Sequence, residues 1–261
     1  MARVMGLDMG SSFVKGVLFC DDEEPRFHME KSGINYRRTA AAVRDALLRE
    51  AGVTAADCDL VLVTGCGANC VEFAGAAAAE MPCLIRAVAE AVRPCVVLDM
   101  GGQASRLGVV NREGRMESFD FSEKCASGSG KILESVARVL QLSFAELANV
   151  AQHSTQPTSF TTSCAVFAES EAITAVARGE SAANIVGGFH HAIAKKLVAM
   201  LNRSGSKVRE LPLVAAGGAA LDGALISTLE SMAGRTVTVL ERPQHVVAFG
   251  AALSARDALS N

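Results

Sequence analysis

The sequence contains no Trp and only one Tyr, Tyr36, among its 261 residues. Aromatic residues make up 5% of the chain, which disfavours a site that stacks its ligand between aromatic rings. It also has no block of basic residues, because 25 Lys and Arg stand against 28 Asp and Glu, for a formal net charge of −3. A nucleic-acid partner is therefore not expected, since phosphate backbones are bound by clustered positive charge.

Long apolar runs are absent as well. The longest, such as Cys95–Met100, are the size of a strand and far shorter than a membrane span. The chain opens on a strand pattern at Arg3 and shows no signal-peptide pattern. We therefore expect a cytoplasmic protein without a membrane segment. Half of its residues are hydrophobic, which is enough for a sizeable core.

The cysteines do not form a familiar metal motif, because no C-x2-C pair is present. Disulfides are not expected in a cytoplasmic chain, and most of these residues are typical of small buried hydrophobes. For Cys66 and Cys70, which are four residues apart, a structural role is favoured over a metal site. The eight cysteines are Cys20, Cys58, Cys66, Cys70, Cys83, Cys95, Cys125 and Cys164.

Two segments about ninety residues apart share one pattern. Val4–Leu18 and Val96–Val110 each predict a strand, a turn and a second strand, and the turns carry Asp8-Met-Gly and Asp99-Met-Gly. A third strand and a helix follow each segment. This duplication predicts an α/β fold of two related lobes with a nucleotide cleft between them.

We place the first lobe at residues 1–92 and the second at 93–261, and the closing helix, Gln244–Ala258, is free to pack on the first lobe. Further helices are predicted at Thr39–Ala51, Gly128–Leu140, Phe144–Ala151, Val166–Arg178, Ala182–Arg203 and Ala220–Met232.

The glycine turns suit phosphate binding. Glycine lets the main chain approach a phosphate closely and present its N–H groups. Ser11 and Ser12 add hydroxyl donors, and Lys15 supplies a positive charge. Asp8 and Asp99 would bind Mg²⁺, partly through water. A single Asp-x-Gly is more often an ordinary turn, but two in matching settings favour a polyphosphate site, with Gly217-Gly218 as a backbone surface for adenosine.

Cys125 and Cys164 each come just before a predicted helix. A thiolate is stabilised at a helix N-terminus by the helix dipole and by free N–H groups, and the same environment suits an anionic iron–sulfur cluster. One [4Fe-4S] cluster needs four thiolates, so a two-fold dimer would supply two from each chain. The chemistry alone leaves a pair of redox-silent cysteines equally open.

Other polar residues have simpler interpretations. His190 and His191 are adjacent on a predicted helix, so their side chains point about 100° apart and a structural role is favoured. Glu169 and Glu171 lie in the first turns of the helix after Cys164, where negative charge is favourable. A role in signalling between nucleotide and cluster is the alternative for these two carboxylates.

Four motifs together resemble the BadF/BadG/BcrA/BcrD ATPase family, and the resemblance extends from Val4 to Ala255. That family contains activators of 2-hydroxyacyl-CoA dehydratases and ATPase subunits of benzoyl-CoA reductases. The motifs are Leu7-Asp-Met-Gly-Ser-Ser, Leu98-Asp-Met-Gly-Gly-Gln, Lys124-Cys-Ala-Ser-Gly-Ser-Gly and Ser163-Cys-Ala-Val-Phe-Ala-Glu-Ser-Glu.

The resemblance implies an actin/hexokinase-type (ASKHA) ATPase with duplicated RNase H-like lobes, binding ATP or ADP with Mg²⁺. It also implies a dimer, with itself or a close paralogue, that holds one [4Fe-4S] cluster through Cys125 and Cys164. The expected partner is an iron–sulfur dehydratase or reductase acting on CoA thioesters, and the expected upstream donor is a ferredoxin or flavodoxin.

Site residues follow from the resemblance by position. Asp8, Asp99 and Gln103 would be catalytic. The nucleotide contacts implied are Gly10, Ser11, Ser12, Lys15, Gly101, Gly102, Gly217, Gly218 and Gln244.

One departure bears on function, because the family usually has Asp after Gly-Gly-Gln and this chain has Ala104. That difference suits an alternative, a nucleotide-dependent regulator without a cluster. A small-molecule kinase of the same superfold is a second alternative, since fold does not fix function. Neither alternative gives the two cysteine motifs a role.

Overall fold

The structure, a computed structural model, describes residues 2–20, 23–121, 128–160 and 165–260. The chain divides into two compact units. The first comprises Met1–Pro94, Val110–Glu117 and Gln244–Asn261, and the second comprises Cys95–Val109 and Ser118–Pro243. The predicted boundary between residues 92 and 93 stays a prediction.

The described parts of the chain contain both strands and helices. The strands are β1 (Val4–Met9), β2 (Phe13–Phe19), β3 (Arg26–Lys31), β4 (Leu60–Thr64), β5 (Ala76–Ala77), β6 (Cys95–Met100), β7 (Ser105–Val110), β8 (Met116–Phe121), β9 (Leu213–Ala216) and β10 (Thr238–Val239). The helices are α1 (Tyr36–Ala51), α2 (Glu80–Ala91), α3 (Ser129–Val139), α4 (Phe144–Ala151), α5 (Ala165–Ala177), α6 (Ala182–Arg203), α7 (Gly223–Ala233) and α8 (Val246–Ser260).

The two sheets repeat one strand order. In the first, the order is β3-β2-β1-β4-β5, with β1 antiparallel to β2 and parallel to β4. In the second, the order is β8-β7-β6-β9-β10, with β6 parallel to β9. The central strands β1 and β6 are buried along their whole length, as expected for strands that are covered on both faces. The predicted α/β duplication is therefore confirmed.

In the first unit, helices cover both faces of the sheet. Met5, Leu7 and Met9 of β1 join one core cluster with residues of α1. On the other face, Gly6 lies against α8, where a Cβ would be 2.2 Å from the backbone oxygen of Ala248. This close approach places α8 over β1, so the closing helix packs on the first unit.

The core of the second unit is formed by strands and helices together. Residues of β6, β7 and β9 cluster with residues of all five helices from α3 to α7. The largest fully buried side chain in it is Phe189 of α6, which stacks on Phe160 with ring centroids 3.9 Å apart. Among the described helices, none combines the length and the apolar character that a membrane span requires.

Candidate active site

The first Asp-Gly turn begins at the end of β1, where Asp8 supplies a buried carboxylate. Asp8 is 5% exposed and lies directly opposite Lys15 in the register of β1 and β2. Lys15 Nζ donates a hydrogen bond to Asp8 Oδ2 at 2.8 Å. A Cβ on Gly10 would lie 2.6 Å from the same nitrogen and 2.9 Å from the backbone oxygen of Phe13, so a side chain at this position would displace both the ammonium and the turn. The structure thus brings together Asp8, Gly10 and Lys15, three of the predicted site residues.

Two buried oxygens of this turn, Asp8 Oδ1 and Ser12 Oγ, have no hydrogen-bond partner among the described residues. Buried polar atoms almost always have a partner, so these two require a ligand, an ion or water. A carboxylate with a hydroxyl is the hard oxygen donor set that Mg²⁺ prefers, and the ion usually keeps several of its own waters. The residues present therefore fit a hydrated Mg²⁺.

Two neighbouring segments support the first turn, and the sequence analysis missed both. Ser32 Oγ donates to the backbone oxygen of Gly10 at 2.6 Å. After β4, Gly65 has a left-handed φ of +92°, and a Cβ there would lie 2.8 Å from Asp8 Oδ1. Gly67 N then donates to the backbone oxygen of Met9. The signal that could have revealed Gly65 is its position directly after a strand parallel to β1.

The second turn has the same construction. Asp99, near the end of β6, is 4% exposed, and Arg106 Nη1 of β7 donates to its Oδ2 at 2.9 Å. Arg106 was not among the predicted site residues. The internal repeat contains the missed signal, because Arg106 follows Asp99 by seven residues as Lys15 follows Asp8.

The glycines of the second turn contact the start of α3. Gly130 N donates to Gly101 O at 3.1 Å, and Lys131 N donates to Gly102 O at 2.9 Å. A Cβ on Gly128, the residue before α3, would lie 2.1 Å from Gly102 O. The first turn of α3 therefore lies directly against the second Asp-Gly turn. Gln103, between these contacts and β7, is exposed.

The predicted adenosine residues fall in two places. Gly217 follows β9 with a left-handed φ of +87°, and a Cβ there would lie 2.7 Å from Asp99 Oδ1. Gly218 begins a single 3-10 turn, Gly218–Leu221, before α7. Gln244 belongs to the first unit and is partly buried just before α8. Gly217 and Asp99 are thus neighbours within the second unit.

The predicted cluster ligands, Cys125 and Cys164, lie outside the described residues. The helices expected after them are present as α3 and α5. Within the ranges that the structure describes, no three His, Cys, Asp or Glu side chains are grouped to hold a metal ion. Cys66 and Cys70 are both exposed.

Helix α5 has an apolar outer face. Its inner face is buried through alanines, Ala168, Ala172 and Ala175. Its outer side chains are large and apolar yet about half exposed or more: Val166, Phe167, Ile173 and Val176. A surface of this kind marks an interaction site more often than a solvated face. The helix is joined to α3 by an ion pair, in which Arg138 Nη2 lies 2.6 Å from Glu169 Oε2.

The adjacent histidines have separate partners. His190 Nε2 is 2.9 Å from Asp222 Oδ2 in the core, and His191 Nδ1 is 2.9 Å from the backbone oxygen of Gly187. The expected structural role of the pair is thereby supported, and Glu169 has a structural partner in Arg138.

Two α/β units of one strand order, each with an aspartate turn at its central strand, define an actin/hexokinase-type ATPase fold. The chain belongs to the BadF/BadG/BcrA/BcrD ATPase family, whose model matches residues 5–255. It is 29% identical to the 2-hydroxyisocaproyl-CoA dehydratase activator of Clostridioides difficile, over 97% of this chain and 94% of that protein.

A second relative is a benzoyl-CoA reductase component from Thauera aromatica, which is 31% identical over 95% of this chain and 87% of that protein. Among solved structures, the activator of the 2-hydroxyisocaproyl-CoA dehydratase from Clostridium difficile, solved with bound ADPNP, superposes with a TM-score of 0.90. It is 28% identical and covers 99% of this chain and 96% of that one. The resemblance found in the motifs is therefore confirmed.

Proposed function

We propose that the chain hydrolyses ATP and uses the hydrolysis to deliver low-potential electrons to a partner enzyme in the cytoplasm. The partner would act on a CoA thioester, as a 2-hydroxyacyl-CoA dehydratase or a benzoyl-CoA reductase. The observation that carries the proposal is the buried Asp8 carboxylate, which has one oxygen paired with Lys15 and one oxygen without a partner. Relatives named as a dehydratase activator and as a component of a reductase support the choice of partner.

Phosphoryl transfer to water is catalysed mainly by positioning the reactants and by stabilising the charge on the transferred phosphoryl group, and each of these residues would serve one of these two purposes. Asp8 and Asp99 would hold Mg²⁺ through its waters. Lys15 and Ser11 would bind phosphate oxygens together with the N–H groups of Gly10 and Gly102, and the Ser12 hydroxyl would bind the magnesium ion of the nucleotide or one of its waters. Gly101, whose own N–H donates to Ala104 O, would let the phosphate approach the main chain. Gln103 would position the attacking water, and Gly217, Gly218 and Gln244 would contact the adenosine.

Cys125 and Cys164 would ligate one [4Fe-4S] cluster per dimer. When bound, such a cluster supplies a one-electron carrier whose potential depends on hydrogen bonds and exposure. Each cysteine comes shortly before a helix, α3 or α5, so the positive end of each helix dipole would stabilise the negative charge. The upstream electron donor would be a ferredoxin or flavodoxin.

The dimer partner would be a second copy or a close paralogue. Helix α5 begins directly after Cys164, and its outer face exposes Val166, Phe167 and Ile173. Burial of such apolar area at a two-fold interface would be favourable and would bring the same cysteine from both chains near the axis. Ile173→Asp should therefore convert the dimer to a monomer in anaerobic mass measurements, whereas Met232→Asp on α7 should not.

The ATPase assignment is tested with Asp8→Asn, which keeps the size of the side chain and removes its charge. We expect hydrolysis to fall about 100-fold or more, the usual loss when a group that stabilises developing charge is removed. The matched control is Asp120→Asn, because Asp120 is also paired with a cation, Arg203, but lies on the partly exposed edge strand β8. Hydrolysis at the wild-type rate in Asp8→Asn would remove the basis of the proposal.

A further inference from the structure

Each Asp-Gly turn has one cation seven residues after its aspartate, on the next strand of the same sheet. Lys15 Nζ lies 2.8 Å from Asp8 Oδ2, and Arg106 Nη1 lies 2.9 Å from Asp99 Oδ2. Because the strand order of the two sheets is the same, the two pairs occupy equivalent positions in the duplicated fold. Arg106 in the second unit is therefore the structural counterpart of Lys15, the proposed phosphate-binding residue of the first unit.

Both pairs are largely buried. The side chains of Lys15 and Arg106 are 16% and 20% exposed, and those of their aspartates are 7% and 5% exposed. A buried ion pair adds little to stability, because desolvation of the two charges offsets most of their attraction. Stability of the fold therefore does not account for a buried ion pair at both glycine turns. A charged ligand does, because it would bind to the separated charges of each pair.

The surroundings of Asp99 define where that ligand would meet the second turn. The other carboxylate oxygen, Oδ1, lies toward Gly217, where a Cβ would be 2.7 Å away. Asp99 thus lies between the guanidinium of Arg106 and the glycine turn after β9. A phosphate entering along these glycines would reach Arg106, and the magnesium ion that accompanies it would lie near Asp99.

We infer that Arg106 is a phosphate-binding residue of the nucleotide site, an inference that rests on the proposed ATPase function. On binding of the magnesium nucleotide, the Asp99 carboxylate turns to a water of the hydrated ion, and the guanidinium turns to a phosphate oxygen. Guanidinium has five N–H donors in a planar fork that matches phosphate, and it stays charged at any physiological pH. Arg106 is in this respect the counterpart of Lys15.

The test is nucleotide affinity, measured by isothermal titration calorimetry with MgATP and MgADP. Arg106→Gln should raise the dissociation constant about 10- to 100-fold, which is the loss expected for one hydrogen bond to a charged group. Arg106→Lys should recover part of the affinity, since it restores the charge without the fork. The matched control is Arg203→Gln, which removes the arginine of the exposed Asp120 pair and should leave both dissociation constants unchanged.

A second measurement uses the wild-type chain and does not depend on folding of a variant. Phenylglyoxal modification of Arg106, followed by peptide mass spectrometry, should slow when MgATP is present at saturation, whereas modification of Arg203 should not. Wild-type affinity in Arg106→Gln, or equal modification of Arg106 with and without MgATP, would overturn the inference. A wild-type chain that binds no nucleotide would instead defeat the proposed function.

Discussion

His190 and Asp222 form a fully buried pair in the second unit, with Nε2 and Oδ2 2.9 Å apart. An ionised carboxylate only accepts hydrogen bonds, so the histidine donates from Nε2. The other oxygen of Asp222 accepts from the N–H groups of Ala224 and Leu225 at the start of α7. One side chain thus joins α6, the turn after Gly217 and the N-terminus of α7.

Asp222→Ala should lower the free energy of unfolding by about 3–5 kcal/mol. The change leaves a buried histidine without its partner and removes the cap of α7. Asp222→Asn keeps an acceptor for both N–H groups and should cost markedly less. Urea unfolding of the three proteins measures the difference, and wild-type stability in Asp222→Ala would show that the pair does not stabilise this region.

Gly250 of α8 crosses α2 with no space for a side chain, since a Cβ would lie 1.7 Å from the backbone oxygen of Cys83. Replacement of a helical glycine by alanine usually stabilises a helix by about 1 kcal/mol. We expect Gly250→Ala instead to destabilise the first unit by about 3 kcal/mol or more, because backbone must move.

Gly223→Ala is the matched control for Gly250→Ala. Its Cβ would meet nothing within 4 Å, and both changes restrict the unfolded chain alike. The difference between the two unfolding midpoints therefore reports native packing at Gly250, less the helix propensity that alanine gains inside α8. Similar midpoints would contradict the close crossing of α8 and α2.

The duplicated architecture was predictable because its signal is local and repeated. The central strands, such as β1, are mostly apolar in sequence, which is typical of buried strands. Asp8 and Asp99 each precede a glycine by two residues, which marks the two turns. Helices α4 and α6 begin and end at the predicted residues. Periodicity and turn chemistry alone thus establish the fold class.

Helix α2 was not predicted, and the reason is physical. Pro82 lies in its first turn, where the absent N–H would be unpaired in any case, so a residue that usually indicates a break is tolerated. Ser32 and Gly65 were missed for a different reason, because only the folded sheet brings them to the first Asp-Gly turn. Arg106, by contrast, could have been found from the internal repeat, since it follows Asp99 by seven residues.

Burial raises the pKa of the Cys83 thiol to about 11, and the carboxylates of Asp8 and Glu80 add to the shift. The thiol of an unfolded chain ionises near pH 8.5. The raised pKa therefore contributes stability that is fully present below about pH 8.5 and is lost as the pH rises toward 11. Cys83→Ala, which lacks this thiol, should be less stable than the wild type at pH 7.5 because it leaves a small cavity.

The stability gap between the wild type and Cys83→Ala should narrow as the pH rises from about 8.5 to about 11. Comparison of the two chains cancels the titration of all other groups, including Lys196, whose pKa burial lowers to about 8. Urea midpoints at half-unit pH steps measure the gap. A gap that stays constant over this range would mean that the Cys83 thiol is solvated in the folded protein.

The cluster prediction is tested by changing cysteines in matched pairs. Protein purified without oxygen should be brown and contain about four irons per dimer. Cys125→Ser and Cys164→Ser should each lose the iron and the visible absorbance but still bind MgATP, because the Asp-Gly turns contain other residues. Cys66→Ser and Cys70→Ser are the controls, since both thiols are exposed and neither is a proposed ligand.

We expect the bound nucleotide to change the environment of the cluster. The backbone oxygens of Gly101 and Gly102 in the second Asp-Gly turn accept hydrogen bonds from the first turn of α3, the helix that follows Cys125. That helix begins four residues after Cys125, so a shift of the turn on binding ATP would move the start of α3. Iron should then be removed by a chelator at different rates with ATP and with ADP. Equal rates of iron removal with ATP and ADP, in a protein that hydrolyses ATP normally, would show that the nucleotide does not affect the cluster. In the cysteine experiment, iron retained by both Cys125→Ser and Cys164→Ser would show that these residues are not ligands.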